Sequence, residues 1–254
     1  MNAQELLHEG KLLEAIQLVS SELRDHPDDA RRRTFLFEML CFAGDFARAE
    51  KHLSLLSDSS ADAAMGALLY RSALSGERKR QAFFEAKQYH DPLAFPPPKK
   101  RAGTLNGEPF WALEDIDPRI GARLEVFVAG EYMWLALAHI GSLTIGPPRY
   151  LRDLLWASAT ITAGPSMKGQ EFGEVLLPIL YPFSSKHERD TVKLGRETDW
   201  ILDEVDPTEI PYGQKLFVVD EDRCVPILDI RELRFNDSDS APPPPPNDFT
   251  PPAT

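Results

Sequence analysis

Gly10-Lys11-Leu12-Leu13-Glu14-Ala15 returns 34 residues later as Gly44-Asp45-Phe46-Ala47-Arg48-Ala49, with Gly10 matching Gly44, Leu12 matching Phe46 and Ala15 matching Ala49. That period is the length of one helix–turn–helix unit of the tetratricopeptide kind. A glycine suits the tight turn between two helices because it has no Cβ to clash there. An alanine suits a point where two helices come too close for a larger side chain. Pro27 stands where the first unit would end, and Leu6, Leu7, Leu12, Ile16 and Val19 recur at helical spacing. An ordinary helical bundle with turns at this spacing would bury the same residues, so either reading predicts helices across the first third of the chain.

Outward from the repeat, residues 2–23 read as helices on either side of Gly10. Pro27-Asp28-Asp29 supplies a break and then an acidic first turn, favourable to the dipole of a helix over 29–42. Its partner runs over 45–56. After a loop at Ser57 to Ser60, helices over 61–74 and 76–88 would complete three hairpins in a domain spanning 1–90. The composition changes at Asp91. Pro92, Pro96, Pro97, Pro98, Gly103 and Gly107 preclude helix, so 91–107 reads as a linker.

Short β-branched and aromatic runs follow, predicting a smaller mixed α/β domain over 108–235 and an α+β fold overall. Leu124-Glu125-Val126-Phe127-Val128, Ala129-Gly130 and Glu131-Tyr132-Met133-Trp134-Leu135 spell a β-hairpin. A second hairpin joins Lys215–Val219 to Cys224–Leu228, with Pro226 requiring an edge or bulge. Residues 236–254 contain Pro242 to Pro246 and no packing pattern, which predicts a disordered or polyproline-like tail.

With 43% hydrophobic and 27% charged residues, the 254-residue chain reads as soluble and globular. Neither a secretory signal nor a membrane-spanning run is visible, since Leu124 to Leu143 is interrupted by Glu125, Glu131 and His139. Cys41 and Cys224 read as free, buried thiols in a reducing compartment. The net charge is −12, and residues 101–254 carry 14 basic against 25 acidic side chains. Such a field works against nucleic acid and anionic lipid. Arg31-Arg32-Arg33 and Arg78-Lys79-Arg80 read as solvated helix faces or ends.

Candidate chemistry is sparse. The six histidines stand at no ligand spacing and no CxxC occurs, which argues against zinc. Gly164-Pro165-Ser166-Met167-Lys168-Gly169 lacks the order of a phosphate loop and reads as an ordinary loop. Ser184 or Ser185 with His187 has no nucleophile elbow around it and reads as a polar loop after Tyr181-Pro182-Phe183. Asp115 with Asp117, and Asp220 with Asp222, are carboxylate pairs that would share a metal in a hydrolase or face solvent around a turn; the turn is preferred. Trp111, Trp134, Trp156 and Trp200 read as core. No catalytic, cofactor or metal residue is assigned.

Five short motifs in order point to a family: Asn106-Gly107-Glu108-Pro109-Phe110; Asp115-Ile116-Asp117-Pro118-Arg119-Ile120-Gly121; Leu124-Glu125-Val126-Phe127 with Gly130-Glu131-Tyr132-Met133-Trp134; Leu151-Arg152-Asp153-Leu154-Leu155-Trp156; and Thr198-Asp199-Trp200. On these the chain resembles the ImpE family, also called SciE or TagJ proteins, over roughly residues 1–235. At Tyr181-Pro182-Phe183 it departs from the family pattern, with Leu180 in place of a basic residue. The resemblance implies a cytoplasmic, non-enzymatic accessory factor of the bacterial type VI secretion system. It further implies a tetratricopeptide-like N-terminal region that associates with the small subunit of the contractile sheath and, through it, with the sheath-disassembling ATPase. A metal-dependent hydrolase and a self-associating scaffold are the competing classes.

Overall fold

The computed structural model describes residues 2–57, 61–90, 101–167, 170–202, 208–220 and 222–236. Helices come first: α1 (Ala3–His8), α2 (Leu12–Asp25), α3 (Ala30–Phe42), α4 (Phe46–Ser57) and α5 (Ala61–Glu85). The two repeat glycines close their helices identically. Gly10 (φ +78°) donates to the Leu7 carbonyl and Lys11 to that of Leu6; Gly44 (φ +71°) donates to Cys41 and Asp45 to Leu40. This bond pair satisfies carbonyls left over at a helix end and needs a left-handed residue, a conformation natural to glycine. Ala15 and Ala49 are wholly buried, and Leu6, Leu7, Leu12, Ile16 and Val19, the apolar positions read from the sequence, are buried too.

The expected third hairpin is not formed. α5 runs through residues 75 and 76 without a break. Gly76 is a contact residue: a Cβ there would stand 2.8 Å from the Phe127 ring. The glycine that reads as turn punctuation is where a helix meets a sheet.

The sheet-rich region holds β1 (Gly103–Leu105), β2 (Glu108–Phe110), β3 (Leu113–Asp115), β4 (Arg123–Val128), β5 (Glu131–Ala136), β6 (Ile140–Ile145), β7 (Trp156–Ala163), β8 (Glu171–Pro178), β9 (Thr198–Leu202), β10 (Glu209–Gly213), β11 (Leu216–Val219), β12 (Arg223–Pro226) and β13 (Glu232–Phe235). An eight-stranded antiparallel sheet has the order β2-β1-β13-β6-β7-β8-β4-β5, beside a three-stranded sheet β12-β11-β3 and the ribbon β10-β9. Both predicted hairpins form, and Pro226 lies on an edge strand. The α+β order therefore holds. The second region, however, is larger than the helical one and sheet-rich, with one short helix, α6 (Asp190–Lys193), among its described residues. Its apolar runs between turn signals are too short for stable helices. The sheet begins at Gly103, inside the stretch read as linker; residues 91–100 and the tail beyond Asn236 lie outside the described residues.

α5 lies along β4. Gly130 abuts Ser72 and Ser75, Gly76 abuts Phe127, Arg80 reaches Glu125, and Phe83 and Phe84 pack against Trp134 with their rings inclined to it. The repeat turns dock on the 184–196 segment. A Cβ at Gly10 would meet Thr191 at 2.9 Å and one at Gly44 would meet Ser185 at 2.5 Å. Arg196 donates to the carbonyls of Leu7 and His8, and Leu13 N–H donates to Asp190 at 3.1 Å.

Two glycines of the same helix should respond oppositely to a Cβ. Gly76→Val overpacks the Phe127 contact and should destabilise by about 1–3 kcal/mol. Gly66→Ala, with nothing within 4 Å of its Cβ, should stabilise by about 0.5–1 kcal/mol through helix propensity. Urea denaturation of the two variants measures both.

Candidate functional site

Gly76 and Arg80 lie one turn apart on α5, and Phe127 and Glu125 lie two residues apart on β4, so each pair shares a face. Close approach at Gly76 therefore sets Arg80 over Glu125. Arg80, 1% exposed, donates from Nε to Glu125 Oε1 at 2.8 Å and from Nη2 to Oε2 at 3.0 Å, a bidentate fork. It also bonds the Leu180 carbonyl at 2.8 Å and Glu77 at 3.2 Å. Lys215 Nζ stands 2.6 Å from Glu125 and 2.8 Å from Asp115. Tyr132 donates to Glu125 at 2.6 Å and receives the indole N–H of Trp134. Burial works to raise the Glu125 carboxyl, but Arg80 and Lys215 outweigh it and hold the group well below its usual range.

Asp115 and Asp117, one of the two carboxylate pairs singled out in the sequence, both enter this cluster. Asp115 accepts from Lys215, from the Tyr181 hydroxyl at 3.0 Å and from Asp117 N–H at 2.9 Å. Asp117 is fully buried and engages Arg119, whose guanidinium lies over the Phe84 ring. Burial pushes the Asp115 carboxyl up to about 6, against the pull of Lys215. The pair is buried and bound by protein donors; the solvated turn expected for it is not formed. Asp220 sits at φ +56° and accepts the N–H groups of Trp111 at 2.7 Å and Ala112 at 3.0 Å, while Asp222 is exposed. Among the described residues no group of three or more His, Cys, Asp or Glu side chains is placed to hold a metal.

The other sequence candidates are also placed. Ser184 donates to the Tyr181 carbonyl and accepts from Gly213 N–H. His187 accepts at Nδ1 from Arg189 N–H and faces Asp199 with Nε2, so serine and histidine form no dyad. Pro165–Met167 is a 3-10 turn; Lys168 and Gly169 lie outside the described residues. The Arg78-Lys79-Arg80 run splits: Arg78 and Lys79 pair with Glu50 and Glu131 at the surface, whereas Arg80 is buried. Of the tryptophans, Trp156 is buried, Trp111 and Trp134 are half-buried, and Trp200 is exposed beside Ile201 and Leu202 on β9. Cys41 is buried, but Cys224 is exposed on edge strand β12. No helix among the described residues is long and apolar enough to cross a membrane.

A large cleft is lined by described residues. It lies between α5 and the sheet, with a volume of about 380 Å³. Leu69 and Ser72 form its helical wall, Phe127 and Leu176 its inner corner, and Thr144, Ser158, Thr160 and Glu174 its floor on β6, β7 and β8. Hydroxyls populate this face because alternate residues of β7 (Ala157, Ala159, Ile161) point to the opposite, buried side.

The model of the ImpE protein family matches residues 107–234. Over 271 aligned positions the chain is 31% identical to the type VI secretion system accessory component TagJ of Pseudomonas aeruginosa, covering 94% of this chain and 93% of that one. The crystal structure of protein VPA1032 from Vibrio parahaemolyticus has the same fold, with a TM-score of 0.81, 24% identity and coverage of 93% of this chain and 98% of that one. The chain belongs to the ImpE family.

The two shifted carboxyls carry opposite pH signs. Glu125, lowered in the fold, contributes stability present above its unfolded value near 4.5 and lost as pH falls toward its folded value. Asp115, raised in the fold, contributes stability present below 3.8 and lost as pH rises through about 6. The stability difference between wild type and Asp115→Asn should therefore move in favour of the variant as pH rises from about 4 to about 6. Urea midpoints across that range check the sign. Arg80→Ala, which takes from buried Glu125 its bidentate partner and leaves it only Lys215, shared with Asp115, should destabilise by about 3–5 kcal/mol at pH 7.

Proposed function

We propose that this member of the ImpE family is a non-enzymatic accessory component of a type VI secretion system. It acts in the cytoplasm by binding a helix of the contractile sheath's small subunit, and through that subunit it modulates sheath handling by the ATPase. The observation that carries this reading is the sealing of the buried ionisable cluster: its carboxylates are met by protein donors, leaving surfaces rather than reactive groups to do the work. The TagJ relative, matched over nearly its whole length, supports the same role. In this reading residues 1–90 form a tetratricopeptide-like domain, 91–107 connect it to a C-terminal domain over 108–235, and 236–254 are a disordered tail.

The hydrolase alternative loses support because Asp115 and Asp117 are enclosed and Asp220 is bound by backbone N–H groups. The physical mode is helix-in-groove, with apolar side chains at i, i+3, i+4 and i+7 of the partner entering the receiving surface.

Titrating the purified full-length protein into labelled peptides from the N-terminal helix of the sheath small subunit tests the reading. Binding in the micromolar range, about −8 kcal/mol, and persistence in moderate salt are expected, because screening acts mainly on exposed charge pairs. Absence of binding at high micromolar protein, in a folded sample, overturns it.

A further inference from the structure

Among the described residues, the sheet face beside α5 is open. α5 packs on β4 and β5 at one edge of the large sheet. Next to them run β8, β7 and β6, whose residues on the same face, Ser158, Thr160, Thr144 and Glu174, are exposed. We propose that this strip seats one amphipathic helix of a partner protein, lying alongside α5 and presenting a Lys or Arg to Glu174. The proposal rests on the helix-binding reading above and adds where the helix lies and what it carries.

Spacing comes first. The middle of the open strip is two strand spacings from the strands under α5, about 9.6 Å at the usual separation. Packed helices have axes about 8–10 Å apart. A helix on the strip would thus touch the sheet and the flank of α5 together, extending the existing helical layer. The eight residues of β7 span about 26 Å, the length of a helix of about 17 residues.

The surface agrees. Serine and threonine keep the floor low, so an incoming backbone can approach closely, while Phe127 and Leu176 offer an apolar corner beneath α5. The stripe of α5 that carries Ser72, Gly76 and Arg80 continues through Leu69 and Met65 at i, i+3 and i+4 spacing. Those two are 51% and 73% exposed, an apolar edge that continues the α5–sheet interface.

Charge fixes the chemistry of the occupant. Glu174 is the one charged residue lining the cleft among the described residues, and it is exposed with no ion pair there. In a chain of net charge −12 it favours a basic partner and disfavours a second copy of this chain.

The test uses the full-length protein, the sheath-helix peptide and a designed Leu/Lys helix of about 17 residues, with affinity read by fluorescence anisotropy. Thr160→Trp fills the floor, Leu69→Lys breaks the apolar wall and Glu174→Lys reverses the charge; all three positions are exposed, so unfolding midpoints should stay near wild type. Thr160→Trp and Leu69→Lys should each weaken the peptide about tenfold. Glu174→Lys should weaken it about threefold at low salt, and less as salt is added. If the sheath peptide binds wild type and all three variants equally, the seat is overturned while the proposed function stands. If only the designed helix binds, and loses affinity in the variants, the seat stands and the sheath reading fails. Binding of neither peptide overturns both, and a wild-type dimer that Thr160→Trp dissociates in sedimentation equilibrium overturns the seat.

Discussion

A guanidinium cannot lose its proton at any pH a protein experiences, so an arginine removed from water must be met by carboxylates where it lies. Arg80 is in that position, and the surrounding architecture follows from it. Glu125 is set among Leu124, Val126, Phe127 and Val128 of β4, where it receives the fork. Lys215 then balances Glu125, Asp115 balances Lys215, Tyr181 and the Asp117 N–H bind Asp115, and Arg119 closes on Asp117. Three cations, Arg80, Lys215 and Arg119, stand among four carboxylates, Glu77, Glu125, Asp115 and Asp117. Burial and the neighbouring Asp117 raise the Asp115 carboxyl against the pull of Lys215. A network of this kind adds little net stability over an apolar core, because desolvation offsets most of the attraction. It discriminates well between arrangements. A one-residue slip of β4 would turn Glu125 to the other face and strand Arg80.

The parts of this fold that were legible in the sequence are those governed by local rules. The turn glycines at 10 and 44, the buried alanines five residues after each, the two hairpins and edge Pro226 all depend on neighbours within a few residues. What escaped depends on partners far along the chain. Glu125 is 45 residues from Arg80 and Lys215 is 100 from Asp115, and no periodicity joins them. Gly76 was misleading for the same reason: its lack of a side chain answers to Phe127, and nothing local distinguishes that from a helix stop. The i, i+2 spacing of Asp115 and Asp117 shows a pair but not its burial. The nearby signal was Arg119, two residues on, which marks Asp117 as an ion-pair partner. Trp200 and Cys224 failed as core residues because composition reports hydrophobicity, whereas exposure depends on what the rest of the fold leaves uncovered.

Sealing the ionisable cluster also separates rigidity from recognition. The helical region is held to the sheet region at several places: the Arg80 cluster, the two glycine turns against Ser185 and Thr191, and Arg196 on the end of α1. A further bridge runs from Glu38 through the Tyr70 hydroxyl to Arg152, tying α3 and α5 to the motif that precedes β7. These contacts fix where the surfaces of the two regions lie.

That placement is what makes the open strip a defined shape. The wall of the cleft is a flank of α5, and the position of α5 over β4 is set by Gly76 and Arg80. The floor is set by the alternation of β7, which sends alanine and isoleucine inward and hydroxyls outward. Both boundaries are therefore fixed by contacts inside the fold, from Gly76 on Phe127 and from the buried side of β7. A surface held in this way binds without first ordering itself, so association loses less conformational entropy than it would on a mobile face. In the proposed seat, selectivity rests on shape and on Glu174, the one carboxylate lining the cleft among the described residues.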